Sequence, residues 1–239
     1  MWMICKKEWQ QFFSSLTGYL ALVVFLLLNG LFLFVFPDTN LLDFGYASLG
    51  GFFSLAPWLL LFLVPTITMR SFADEYKSGS FEILKTLPLT PSAIVRGKFY
   101  GSLLIVFTAI VPSIVYAISI QQLSITGGID MGATIGSYLG LFLLGAVFTA
   151  IGIFASSLTN NTVVAFIAGA FLCFLLYTGF EAFSKLPFLS GIDYTIEMLG
   201  IQFHYRSISR GVLDSRDIIY FIGIISLFLF VTRQNLLKR

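Results

Sequence analysis

Charge is what this chain has least of. Asp, Glu, Lys and Arg make up 11% of its 239 residues, where a water-soluble domain carries about 25%. With 57% of the sequence hydrophobic, too little polar surface remains to cover a globule in water, so lipid is the solvent. Histidine is almost missing. His204 stands alone, and a lone loop histidine reads as a surface residue rather than a catalyst or ligand. The two cysteines, Cys5 near the N-terminus and Cys173 inside an apolar run, fall at different membrane depths, which argues against a disulfide. There is no G-x-x-x-x-G-K-[ST], no H-E-x-x-H, no cysteine cluster and no G-x-S-x-G. The chain therefore makes no P-loop of its own and carries no catalytic constellation. A net charge of +2, without a basic patch interleaved with aromatics, argues against nucleic acid. The 27 Phe are the ordinary furniture of lipid-facing helices.

What is present is a series of apolar runs. The first is longer than the ~7–15 residues of a signal-peptide core and lacks a small-residue cleavage site after it, so it reads as a span. Six spans are expected: Thr17–Phe36, Gly51–Met69, Gly97–Ile120, Thr134–Leu158, Val163–Phe183 and Ile218–Thr232. The last is short for the ~20 residues a bilayer needs, which puts one of its ends in protein or thinned lipid. Pro57, Pro65 and Pro112 predict kinks. Thr90-Pro91 reads as a helix start, with Thr as N-cap and Pro at the first helical position. Asn29 reads as a packing residue that hydrogen-bonds a neighbouring helix, or as one near the far interface. Gly136-x-x-x-Gly140 permits close helix packing and is weak evidence for dimerisation. Ahead of the first span, Trp2, Cys5, Trp9 and Phe12 share one helical face. Residues 1–16 therefore read as an amphipathic interfacial helix, the alternative being a frayed terminus.

The segment Arg70–Lys98 breaks the apolar pattern. It holds Arg70, Lys77, Lys85, Arg96 and Lys98, with Asp74, Glu75 and Glu82. A bilayer centre charges roughly 2.5–3.5 kcal/mol for each Lys, Arg or Asp, so the segment reads as an aqueous loop built for docking. Gly79 allows a backbone turn, and Phe81, Ile83, Leu84 and Leu87 give the short helix after it an apolar face in want of a groove. An interfacial helix lying on the bilayer is the plainer alternative. Six spans put both termini on the same side as this loop. That side carries ten Lys and Arg, against four (Lys185, Arg206, Arg210 and Arg216) on the other, so the positive-inside bias places the termini in the cytoplasm. The opposite side holds the long semi-polar stretch 184–217, expected to pack back onto the bundle. Asp214 or Ser215 is expected to cap the last helix, and Glu181 reads as a terminal carboxylate reaching the interface.

The motif Glu75-x-x-x-Gly79-Ser80-x-Glu82-x-Leu84-x-x-x-Pro88, continuing through Ser92-Ala93-Ile94-Val95-Arg96-Gly97-Lys98-Phe99, resembles the first cytoplasmic loop of ABC-2-type permeases, the membrane subunits of a class of ABC exporters. Lys7-Glu8, Phe12-Phe13, Ser14-Ser15 and Tyr19 resemble the start of that family's first span, although Leu16 stands where Pro is common. Ser156-Ser157-Leu158-Thr159-Asn160 with Val164-Ala165 resembles its turn between spans four and five. Residues 204–217, HYRSISRGVLDSRD, resemble the last outer loop of the gliding-motility permease of Bacteroidota, with the nitrous-oxide-reductase maturation permease as a relative.

The resemblance implies an all-α polytopic membrane protein in one domain, 1–239, with six transmembrane helices, an N-terminal interfacial helix and a cytoplasmic coupling helix. Glu75, Gly79, Ser80, Phe81, Glu82, Leu84, Leu87 and Pro88 would form the coupling element, Thr159 and Asn160 a second cytoplasmic contact, and His204, Arg206, Arg210 and Asp214 an outer gate loop. The implied partners are a cytoplasmic ABC ATPase chain, a second permease chain, an extracytoplasmic auxiliary subunit and the bilayer of a bacterial inner membrane. No cofactor is expected here, since the partner would bind ATP. A membrane-embedded enzyme would need ionisable residues converging at one depth, and a channel would need a polar lining; the apolar runs supply neither.

Overall fold

Backbone that crosses hydrocarbon must satisfy its own hydrogen bonds, and a helix does so locally. The computed structural model describes residues 1–36, 48–86, 88–124, 128–186 and 191–238. Among these, every regular element is helical. In chain order they are α1 (Trp2–Phe13), α2 (Leu16–Phe34), α3 (Gly50–Thr68), α4 (Arg70–Ser78), α5 (Ser80–Thr86), α6 (Pro91–Ile110), α7 (Ile114–Leu123), α8 (Met131–Leu158), α9 (Thr162–Phe174), α10 (Phe180–Ser184), α11 (Asp193–Glu197), α12 (Ile201–Ser209) and α13 (Ser215–Lys238). Six helices are long and apolar enough to cross a membrane: α2, α3 with α4, α6 with α7, α8, α9 with α10, and α13. The protein is an all-α polytopic membrane protein. The turn expected at Pro37–Asn40 lies outside the described residues, as does Gly127 of the second polar loop.

Span ends differ from the sequence reading where polar residues continue a helix. The second span runs on to Ser78, so Arg70–Ser78 is helix rather than loop. Thr90 caps α6 by accepting the Ala93 N–H at 3.3 Å, with Pro91 in the first turn, as expected. Pro112 sits in a 3-10 turn, Val111–Ser113, that separates α6 from α7. A π turn, Leu175–Gly179, joins α9 to α10. The last helix continues to Lys238, well past its fully apolar run, and Leu236 near that end is buried in a hydrophobic cluster.

The fourth span is the axle. Within its most apolar stretch 78% of residues are buried, against 22%, 22% and 17% for the first, fifth and sixth spans. Small residues make this possible. A Cβ on Gly145 would stand 2.8 Å from Val106 Cγ1, and one on Gly140 3.0 Å from Ile208 Cγ2. The Gly136–Gly140 face is thus filled by α12 of the same chain, which removes the dimerisation reading. As expected, 184–217 packs back: Ile201, Tyr205 and Ile208 are buried against the bundle. Tyr205 also repairs a proline defect. Pro57 lacks the N–H that would reach the carbonyl of Phe53, and the Tyr205 hydroxyl donates to that carbonyl at 2.7 Å.

Two polar expectations change. Asn29 is fully buried, but Nδ2 donates to Phe25 O of its own helix at 2.8 Å rather than to a neighbour. The N-terminal helix α1 lies along the start of α6, where Gly97 and Gly101 admit it. A Cβ on Gly101 would meet Glu8 Cβ at 2.8 Å. Its protein-facing residues include Ile4, Cys5 and Glu8, while Trp2 and Met3 are exposed. Both cysteines are free.

Candidate functional site

At the end of the bundle that holds both termini, four charged side chains from three segments meet. Lys98 of α6 is completely buried. Its Nζ lies 2.8 Å from Glu8 Oε1 of α1 and 3.0 Å from Glu75 Oε1 of α4, and it also donates to the carbonyl of Ser71. Lys7 Nζ reaches Glu75 Oε1 at 2.8 Å from the rim. Ser71 Oγ donates to Glu8 Oε2 at 3.3 Å. An ammonium has three N–H donors, and here three acceptors surround it. That matters because a buried charge costs several kcal/mol unless paired and hydrogen-bonded. The cluster closes with two cations and two carboxylates, so it is neutral as a unit. It fastens α1, α4 and α6 together.

A second fastening joins α4 to the axle. Ser156 Oγ, on α8, donates to Met69 O at 2.9 Å and accepts from the N–H groups of Phe72 and Ala73 at 3.0 and 3.1 Å. These groups lie where α3 hands over to α4, where turn geometry at Met69 interrupts the helix. One residue on, Ser157 O accepts from Asn235 Nδ2 of α13 at 2.8 Å. First-loop helix, fourth span and last helix therefore share one polar joint.

Gly79 then turns the chain, with φ +72°, a region a side chain disfavours. The seven-residue helix α5 follows. Phe81 is buried edge-on against Tyr76, ring centroids 4.9 Å apart, and against Phe72 at 6.2 Å. Glu82, Ile83, Lys85 and Thr86 are exposed, as is Pro88, and Leu84 is half-buried. Ser80 Oγ pairs with Ser78 Oγ across the turn at 2.8 Å.

The structure divides the eight expected coupling residues. Glu75 and Phe81 face inward and anchor the hairpin, Leu84 packs half-buried against the same cluster as Phe81, Gly79 and Ser80 make the turn, and Glu82 and Pro88 are exposed; Leu87 lies outside the described residues. The apolar face read from sequence is corrected accordingly. Phe81 has turned into the bundle, and among the described members of that face Ile83, at 68% exposure, is the outermost. Thr159 and Asn160 follow directly on the Ser156–Ser157 joint. Thr159 Oγ1 accepts the Asn161 N–H at 3.1 Å, and Asn160 is exposed.

The four outer-loop residues serve separate purposes at the opposite end. His204 is buried, contrary to the surface reading. Its Nδ1 meets Asp217 Oδ1 at 2.7 Å, Nε2 donates to Met198 O at 2.8 Å, and Tyr220 stacks on the ring at 3.8 Å. Asp214 Oδ1 accepts the Arg216 N–H at 2.9 Å and caps α13, as expected. Arg206 binds Glu181 at 3.2 Å, and Lys185 binds the same carboxylate at 2.7 Å. Arg210 is exposed.

Sequence reasoning missed Lys98, Glu8, Ser71, Ser156 and Asp217 as site residues. A signal existed for two of them. Lys98 lies between Gly97 and Gly101 at the start of an apolar helix, and Glu8 shares the helical face of Cys5 and Phe12, so each charge sits where packing is expected.

Six membrane-length apolar helices, with a charged hairpin fastened to them at one end, describe a polytopic membrane protein. Residues 50–186 match the family model described as ABC-2 family transporter protein. The match covers more than half the chain, and the chain belongs to that family. It is a membrane permease of an ABC transporter, a class that works in a lipid bilayer with an ABC ATPase. No curated protein matches the sequence.

Proposed function

We propose that this chain couples ATP hydrolysis on a separate cytoplasmic ATPase to export, or to force transmission, across a bacterial inner membrane, working beside a second permease chain. The observation that carries this reading is the two-sided character of α5. Its outer side offers Glu82 and Ile83 to a partner, while Phe81 and the Glu75–Lys98–Glu8 cluster tie its base to the second and third spans and to α1. A push on α5 is then delivered to the bundle instead of being absorbed by a loose loop. Thr159 and Asn160, next to the Ser156 joint, are the second contact. The ten basic residues on this side support a cytoplasmic location for it and for both termini. The likeness of residues 204–217 to the gliding-motility permease supports assigning the export or force to that process.

The test is capture of the ATPase from detergent extracts, scored against folded permease. Glu82→Lys and Ile83→Asp should fold, weaken capture and abolish ATP-dependent function, with Ser124→Lys at the other end as a neutral control. Normal capture and function in both α5 variants would show that α5 is not the docking element. The purified chain alone should neither bind nor hydrolyse ATP; specific nucleotide binding by this polypeptide would overturn the subunit assignment.

A further inference from the structure

At the end of the bundle opposite the termini, a cavity of about 520 Å³ opens among α3, α8 and α12. Pockets of this size take ligands of headgroup scale. Four of the side-chain hydroxyls around it have already committed their protons. Ser54 Oγ donates to Gly51 O, Thr134 Oγ1 to Asp130 O, Ser137 Oγ to Ser209 O and Ser209 Oγ to Arg206 O. The Tyr205 hydroxyl is given to Phe53 O, and burial pushes that phenol well above its usual range, so it remains an O–H. What these oxygens have left to offer is lone pairs.

Two further acceptors stand in the same wall. Asp130 is an exposed carboxylate whose Oδ1 caps α8 through the Ala133 N–H at 3.0 Å. Gln202 Oε1 is buried and accepts no hydrogen bond among the described residues. An acceptor-rich cavity is complementary to a cation that carries N–H donors. Aromatic walls suit the same charge: Trp58 and Tyr177 line the cavity with ring centroids 5.9 Å apart and planes at 89°. Donors line it too, among them Ser48, whose Oγ accepts the Gly50 N–H and keeps its own proton, and the charged donor is Arg206. It reaches Glu181 through Nη2, which leaves other guanidinium donors for an anion, and a guanidinium matches phosphate geometry. The cavity is bordered by Gly50 and by Asp130–Thr134, where α3 and α8 begin. It therefore sits at the membrane surface of that end, within reach of lipid headgroups.

We propose that this cavity binds the phosphoethanolamine headgroup of a membrane phospholipid, with its ammonium on Asp130 and the hydroxyl oxygens and its phosphate on Arg206. A trimethylated ammonium has no N–H to give these acceptors. A neutral polyol would fill the acceptors but leave Arg206 without an anion. The site is a matter of binding alone and does not rest on coupling to an ATPase.

The experiment is titration of the delipidated full chain with dioleoyl phosphatidylethanolamine, dioleoyl phosphatidylcholine and soluble glycerophosphoethanolamine, followed by native mass spectrometry. Phosphatidylethanolamine is expected to bind about tenfold tighter than phosphatidylcholine, the scale of one charge-assisted hydrogen bond. Asp130→Asn keeps the capping oxygen and should erase the preference. Arg206→Met should weaken both lipids alike. If Asp130→Asn does not fold, Thr134→Val must reduce the preference instead. Equal binding of the two lipids by the natural chain, or a preference that survives the acceptor variants, overturns the proposal. Binding of glycerophosphoethanolamine as tight as that of the lipid overturns the assignment of a lipid occupant.

Discussion

Lys98 and Glu8 stand 90 residues apart in the chain and 2.8 Å apart in space, the lysine wholly out of solvent. The pair turns an N-terminal helix that sequence reads as a membrane-surface float into part of the joint behind α5. Removing one partner of a buried pair typically costs about 3–5 kcal/mol, because the other charge is left uncompensated. Lys98→Met should lower stability on that scale, read as the unfolding midpoint in detergent. Lys98→Met with Glu8→Gln should lose less than the two single changes added together. Strict additivity would mean the two residues do not act as a pair.

The Ser156 joint is testable without function. Ser156→Ala removes one donor and one acceptor at the α3–α4 handover, and a lost buried hydrogen bond costs about 1–3 kcal/mol where a group is left unpaired. Hydrogen exchange in the peptide spanning 69–78 should accelerate, with little change in α12. Unchanged exchange there would show that α4 is held by its packing alone.

Tyr205 and Pro57 should be coupled across the bundle. Tyr205→Phe leaves the Phe53 carbonyl without its donor, at a cost of about 0.6–1.7 kcal/mol on the scale of hydrogen bonds inside membranes. Restoring the backbone N–H with Pro57→Ala should shrink that cost. A Tyr205→Phe penalty that is equally large in both backgrounds would contradict the repair.

Orientation follows from thiol labelling, which the native cysteines do not confuse. Cys5 is buried. Burial first, and then the nearby Glu8 carboxylate, raise its pKa, so less of the reactive thiolate is present near neutral pH. Cys173 is buried as well. Ser78→Cys should react with an impermeant maleimide only in opened cells, and Val212→Cys, at an exposed site, in intact ones. Labelling of position 78 from outside would reverse the membrane orientation.

The spans were legible because lipid leaves a coarse signature, and Gly79 and Thr90-Pro91 were legible because they act on their own backbone. The joint was hidden by the same reasoning. Charge in the 70–98 segment was read as a demand for water, whereas Glu75 and Lys98 satisfy each other and Glu8 completes the set from a different helix. Nothing local in a seven-residue helix decides which apolar residue turns inward; the rings of Tyr76 and Phe72 decide it for Phe81. His204 was misplaced for a related reason. Its partner Asp217 lies in the first turn of the following span, and a loop reading takes no account of that return.

In the proposed function, the exposed side of α5 meets the ATPase while its base drives the bundle. A photo-crosslinking amino acid placed at Ile83 in native membranes tests it most directly. Crosslinking to a nucleotide-binding chain from position 83, and not from the exposed position Val212 at the other end, is the expected result. Crosslinks from position 83 to lipid alone, with the ATPase present and active, would contradict it.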